Sequence, residues 1–242
     1  MLEKIRLEKI LFLDIETVAQ QPNFNLVDER LQKFWEQKAK YLAADETPEE
    51  AYSRAGIYAE FGKIVCISVG FITYEGSEKN LRLKSFYGDD EKLLLEEFFD
   101  LLNNYFNQAD HLLCAHNGKE FDFPYIARRA LVNRLNIPSI LDLAGKKPWE
   151  VAHLDTLQLW KFGDYKNYTS LGLLTAIFNI PTPKDDIDGS MVNSVYWTEN
   201  NLDRIVEYCQ KDVITLAQVL LRFHCESLIK TENIAFKHVG QN

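Results

Sequence analysis

Lys9-Ile10-Leu11-Phe12-Leu13-Asp14-Ile15-Glu16-Thr17 is the stretch on which the fold turns. Lys9 to Asp14 reads as a buried strand whose carboxyl end carries the acids. Acids are depleted in strands, so two together at the end of an apolar one need a reason. Alternation sends Asp14 and Glu16 to one side and Ile15 to the other. The pair reads either as a solvent-facing strand end or as hard oxygen donors of the kind Mg²⁺ and Mn²⁺ prefer.

Outward from this strand, Phe61 to Thr73 makes a second strand through Ile64, Val65, Ile67, Val69 and Phe71. Leu81 to Phe86 alternates apolar and basic residues, as a half-exposed third strand would. Gly88-Asp89-Asp90 opens a helix through Phe106, with Leu93/Leu94, Phe98 and Leu101/Leu102 at helical spacing. His111 to Ala115 is a short strand ending at Asn117, and helix signals run from Phe123 to Asn136, stopping at Ile137-Pro138. Ala152 to Thr156 is another short strand. Leu157–Phe162, Thr169–Phe178 and a long region from Thr198 to Leu228 are expected helices. Strands first, then strands alternating with helices, indicate an α/β fold with a sheet of mixed direction.

Residues 22–60 are not needed to build that sheet. Leu31, Phe34, Trp35, Lys38 and Leu42 share one helical face, and Thr47-Pro48-Glu49-Glu50 is a capping-box start with proline at the first helical position. The segment reads as a two-helix insertion beside the site, either a structural cap over the core or a lid over substrate.

The 242 residues suit one α/β domain with this insertion, 1–242. With 46% hydrophobic and 26% charged residues the composition is that of a soluble globular protein. The amino terminus is too charged for a signal peptide, and no apolar run reaches the roughly 18–20 residues that cross a bilayer. A cytoplasmic protein is expected. Four widely spaced cysteines, without a Cys-x-x-Cys pair, argue against a zinc site or a disulfide framework. The net charge of −9 disfavours an extended nucleic-acid surface, but metal-binding carboxylates contribute to it, and an enzyme gripping one strand end needs only a local basic patch.

Two further acidic segments follow in order. Asn117-Gly118-Lys119-Glu120-Phe121-Asp122 places Asp122 before Phe123-Pro124, as a helix N-cap would be. Tyr208 and Asp212 are four apart, and so share a helix face. Four carboxylates in one cleft would repel one another unless cations sat between them. Two divalent ions would cancel the charge, as in phosphoryl displacement.

Together these segments resemble the DEDD, or DnaQ-like, superfamily of 3′–5′ exonucleases in its tyrosine subgroup. The run Ala115-His116-Asn117-Gly118-Lys119-Glu120-Phe121-Asp122-Phe123-Pro124-Tyr125-Ile126-Ala127-Arg128-Arg129-Ala130 is similar to the second exonuclease motif of family-B DNA polymerase proofreading domains. Glu207-Tyr208-Cys209-Gln210-Lys211-Asp212 is similar to the third. The resemblance spans about residues 9–225 and is that of the free-standing bacterial exonucleases. It implies a ribonuclease-H-like fold with a mixed five-stranded sheet flanked by helices, and removal of nucleotides from the 3′ end of single-stranded DNA as 5′-monophosphates. The alternatives are a 3′–5′ exoribonuclease of the same fold and a non-catalytic nucleic-acid-binding module.

The resemblance also implies two divalent cations, Mg²⁺ or Mn²⁺. Asp14 would bridge both, Glu16 and Asp212 would complete the site of the attacking water, and Asp122 would serve the second cation. Tyr208 would orient that water. Thr17, Asn117, Phe121 and Lys184 are the expected substrate contacts. The partner is nucleic acid; no membrane and no polymerase palm or fingers are expected in this chain. Asp185-Asp186-Ile187-Asp188-Gly189 lacks the first ligand and closing glutamate of a calcium loop and reads as a turn. His116 and His153 read as satisfied near-core histidines, and Asp155 as a weak candidate for the carboxylate cluster.

Overall fold

A computed structural model of the protein describes residues 5–42, 45–164, 166–181 and 187–236. Its sheet has the order β5-β4-β1-β2-β3-β6. The strands are β1 (Ile10–Ala19), β2 (Gly62–Glu75), β3 (Glu78–Tyr87), β4 (Leu112–Ala115), β5 (Leu154–Asp155) and β6 (Ile234–Phe236). β1 and β3 each pair antiparallel with β2, whereas the β1–β4, β4–β5 and β3–β6 pairs are parallel. β2 alone therefore runs against the rest. This is the mixed, ribonuclease-H-like arrangement, with one strand beyond the expected five.

The sixth strand exists because the last helix stops early. The helices are α1 (Glu29–Leu42), α2 (Pro48–Ala51), α3 (Glu91–Tyr105), α4 (Asp122–Val132), α5 (Thr156–Lys161), α6 (Leu171–Ile177), α7 (Val192–Trp197) and α8 (Leu202–Phe223). The expected helix over 198–228 is interrupted at both ends by left-handed residues, Asn200 and Cys225. Past α8, the Gln218 amide exchanges two hydrogen bonds with the Ile229 main chain (2.8 and 3.0 Å). That clamp turns the chain back, and 234–236 reach the open edge of β3. No described helix is long and apolar enough to cross a membrane.

β1 sets the two faces of the sheet. Leu11, Leu13 and Ile15 pack with α3 and α4 side chains such as Leu95, Phe98, Phe123 and Ile126. Ile10 and Phe12 face the other way, against Val213, Leu216 and Leu220 of α8. Val18 joins Val195 of α7 and Ile205 and Cys209 of α8. Asp14 and Glu16 interrupt this second apolar row.

The insertion behaves as a packed cap. Trp35 is fully buried, edge-on to Tyr52 and Phe61, and its indole N–H donates to the Pro48 carbonyl (2.8 Å). The Thr47–Glu50 capping box is present. The buried face of α1 is narrower than its sequence indicated. Trp35 and Ala39 point inward, while Phe34 and Leu42 face solvent, because the rings of Tyr52, Tyr58 and Phe61 meet α1 on the Trp35 side. The insertion's return is bolted down at Gly56, whose carbonyl accepts from the Tyr125 hydroxyl (2.6 Å). A side chain at Gly56 would meet the Val18 backbone at 2.9 Å.

Candidate active site

β1 is longer than expected. It continues to Ala19 because β2 keeps pairing with it as far as Gly62, so Asp14 and Glu16 lie within the strand and not at its end. Their setting is still a boundary. β4 pairs with β1 only through Phe12, and a register irregularity falls between Glu16 and Thr17. Bulges of this kind are frequent beside active sites, where they re-aim side chains. Opposite Asp14 and Glu16 stand Ser68 and Cys66.

The middle segment is shaped by a tight turn. Asn117 is left-handed (φ 64°), and at Gly118 a Cβ would stand 2.3 Å from that of Ala115, so only glycine fits. Asp155 holds the turn: its carboxylate accepts from the amides of Asn117 (3.0 Å) and Lys119 (3.1 Å), and from Leu157 and Gln158 as the cap of α5. Asp155 is thus committed to main-chain amides and serves the cluster by positioning the turn. The turn delivers Asp122, buried, as the first residue of α4. It is not the N-cap that its sequence suggested; Phe121 occupies that place without a side-chain cap. His116 and His153 are satisfied, by Thr156 and the Thr169 carbonyl, and by the Leu113 amide and the Ile140 carbonyl.

α8 brings the third segment across the sheet. The Cys209 thiol donates to Asp14 Oδ2 and to the Asp14 carbonyl, both at 3.4 Å. Ligand atoms of Asp14, Glu16 and Cys209 lie within 4.8 Å of one another. Glu16 is only 7% exposed, and it makes no hydrogen bond or ion pair with any described residue.

The electrostatics follow from this crowding. Burial raises the Asp14 carboxyl well above its ordinary range, and the charges of Glu16, Asp212 and Asp122 add to the rise. Burial likewise raises Glu16, reinforced by Asp212. Asp122 is pushed up to about 7, first by burial, against the pull of main-chain amides including that of Ile15. The Tyr208 phenol is driven upward by burial and then by Asp212, Glu16 and Asp14. Asp14, Glu16, Asp122, Asp212 and Tyr208 therefore share one electrostatic neighbourhood.

The expected substrate contacts are less uniform. The Thr17 side chain lies near the Tyr125 phenol, and Phe121 packs its ring against Tyr125 at 5.3 Å. Asn117 acts through its main chain as the pivot of the turn. Lys184, with Asp185 and Asp186, lies outside the described residues. Cys209 carries no site signal of its own in the sequence, since a thiol in an apolar helix segment reads as core; only its place beside Tyr208 marks it.

A family model described as a predicted 3′–5′ exonuclease related to the exonuclease domain of PolB matches residues 57–235. That span holds Asp122, Tyr208 and Asp212, while β1 precedes it. No curated protein matches the chain. Among solved structures, the family B DNA polymerase of the hyperthermophilic archaeon Pyrobaculum calidifontis is similar over 88% of this chain and 24% of its own, with 16% identity and a TM-score of 0.49. The chain thus spans about a quarter of the polymerase's length.

Proposed function

We propose, for a chain that belongs to the family of predicted 3′–5′ exonucleases related to the exonuclease domain of PolB, that it hydrolyses single-stranded DNA from the 3′ end and releases nucleoside 5′-monophosphates. Asp14, Glu16, Asp122 and Asp212 would hold two divalent cations, Mg²⁺ or Mn²⁺. The observation that carries the reading is the pair Asp14 and Glu16: half-buried and buried, side by side on β1, with neither in an ion pair among the described residues. Burying like charges this way is costly unless a cation joins them. The donors are mostly carboxylate oxygens, which suit hard cations.

When bound, the cations supply charge against the phosphate and a nucleophile at neutral pH. The chain's own groups do the rest. Tyr208, its phenol held protonated by burial and by the acids around it, keeps its proton and serves as a hydrogen-bonding post for the attacking water. Asp155 fixes the turn that presents Asp122. The carboxylates fix where the phosphate's counter-charge sits.

The test uses a single-stranded DNA labelled at its 5′ end, its RNA counterpart and a DNA with a blocked 3′ end, each with Mg²⁺, Mn²⁺ or EDTA. A ladder shortening from the 3′ end, only with cation and only on the open end, is expected. Faster loss of the RNA would move the assignment to an exoribonuclease, and binding without cleavage in any metal would leave a non-catalytic module.

A further inference from the structure

Cys209 has no part in the chemistry proposed above, yet its thiol contacts both the carboxylate and the main chain of Asp14. In tetrahedral coordination a cation about 2.0–2.2 Å from oxygen and about 2.3 Å from sulfur holds such donors about 3.5 Å apart. The observed separation of Cys209 Sγ from Asp14 Oδ2 is 3.4 Å. Glu16 completes a triangle of ligand atoms within 4.8 Å, so only a small inward shift is needed. No hydrogen bond of Glu16 to a described residue has to break for that shift, and the cation's charge offsets the repulsion between the two carboxylates. Glu16 is more than nine-tenths buried and has no hydrogen-bond partner among the described residues.

This donor set differs in kind from a set of oxygens. Mg²⁺ demands near-octahedral oxygen ligands and sheds water reluctantly. Two carboxylates and one thiolate with an open fourth position suit a borderline-soft cation. We infer that Asp14, Glu16 and Cys209 form a binding site for Zn²⁺ and other thiophilic divalent cations, which overlaps the nuclease centre and excludes Mg²⁺ from it. On binding, the Cys209 S–H bond breaks, its proton passes to solvent and the sulfur lone pair forms the metal–sulfur bond; no oxidation occurs. Asp14 is then committed to the thiophilic cation, so Zn²⁺ inhibits in competition with Mg²⁺. This last consequence rests on the nuclease reading, whereas the binding site does not.

The test is a Cd²⁺ titration of metal-free protein followed by the ultraviolet thiolate-to-metal charge-transfer band, beside a Mn²⁺ titration read by electron paramagnetic resonance. All proteins carry Cys225→Ser, because Cys225 is the exposed thiol. A saturating band is expected in the parent protein. Cys209→Ser should abolish it and weaken Cd²⁺ about ten- to a hundredfold more than Mn²⁺. Glu16→Gln, which keeps the thiol and serves if the serine variant does not fold, should retain the band at saturation and weaken Cd²⁺ by a similar factor. No band in the parent, or a band surviving Cys209→Ser, overturns the site even if Mg²⁺-dependent cleavage is intact. A band lost in Cys209→Ser upholds the site even if the parent cleaves no nucleic acid, in which case the nuclease reading fails alone.

Discussion

Two groups of largely buried charges sit on opposite faces of the sheet and are handled in opposite ways. On the α3/α4 side, Glu91 and Arg129 form a bidentate pair (2.9 and 2.6 Å), and Glu91 also accepts from the Ile64 amide and the Asn133 side chain. Arg129 spends a further N–H on the Ala59 carbonyl. Every part of that group is matched, and it ties α3, α4, β2 and the end of the insertion together. On the α8 side, Asp14 and Glu16 gather like charge with no basic partner among the described residues. A buried set whose charges balance is structure. A set of like charges that does not balance carries the repulsion that raises Asp14 and Glu16 above the ordinary carboxylate range.

The largest effect is expected from unbalancing the balanced set. Arg129→Met leaves Glu91 buried without its partner, which should cost about 3–5 kcal/mol in urea unfolding. Glu91→Gln combined with Arg129→Met should recover part of that loss. If the double variant is as unstable as the two losses summed, the pair is not coupled and Glu91 does not depend on Arg129 for its burial.

The reciprocal test varies pH without cations. Unfolded Asp titrates near 3.9, whereas Asp122 in the folded protein is pushed up to about 7 by burial. The folded state therefore binds the proton more tightly. Its contribution to stability is complete below pH ~4 and is lost as pH rises through ~7, by at most about 4 kcal/mol. Urea unfolding in EDTA at pH 5 and pH 8 measures the fall. Mn²⁺ added at pH 8 should reverse it, by about 2.7 kcal/mol at a hundredfold excess over Kd. Equal stability at both pH values would mean the acids are not confined as described.

Asp14→Asn isolates the same imbalance at one residue. In EDTA at pH 8 it should raise stability by about 1–3 kcal/mol, the usual scale of an uncompensated buried polar group. It should also abolish both stabilisation by Mn²⁺ and cleavage. A variant that loses stability in EDTA, or turns over like the parent, breaks the assignment.

Much of this contrast was legible in the chain because it is local. The alternation Asp14-Ile15-Glu16, the spacing of Tyr208 and Asp212, and the turn signal at Asn117-Gly118 each act over a few residues. What escaped depends on distant partners. β1 outruns its apolar stretch because Gly62, Lys63 and Ile64 lend it hydrogen bonds. The three residues of β6 have no pattern of their own and exist only as an edge for β3. Trp35 and Phe34 are adjacent, equally aromatic and oppositely buried, and only the position of Tyr52 and Phe61 decides which goes inside. Glu91 and Arg129, 38 residues apart, carried no mark of their pairing.

The smallest effect on stability, and a large one on turnover, is expected at Tyr208. Its phenol is held protonated by burial and by the neighbouring carboxylates, so it cannot act as the base and can contribute only a hydrogen bond. Tyr208→Phe keeps the ring, which packs against the apolar cluster that includes Val18, Val195 and Ile205, and should change unfolding free energy by about 1 kcal/mol or less. All four carboxylates remain, so Mn²⁺ and Ca²⁺ affinities should stay within a factor of about 2, as should DNA binding measured in Ca²⁺. A positioned hydrogen-bonding group is worth about 10²–10⁴-fold in rate, and turnover with Mg²⁺ should fall by that amount while remaining above the background of Asp212→Asn. The pH–rate profile is the sharper readout. Since the phenol does not titrate in the working range, its removal should lower the profile without moving its limbs. A Tyr208→Phe protein with full turnover would show that the hydroxyl only fills space, and a shifted acidic limb would show that it sets the protonation of the acids beside it.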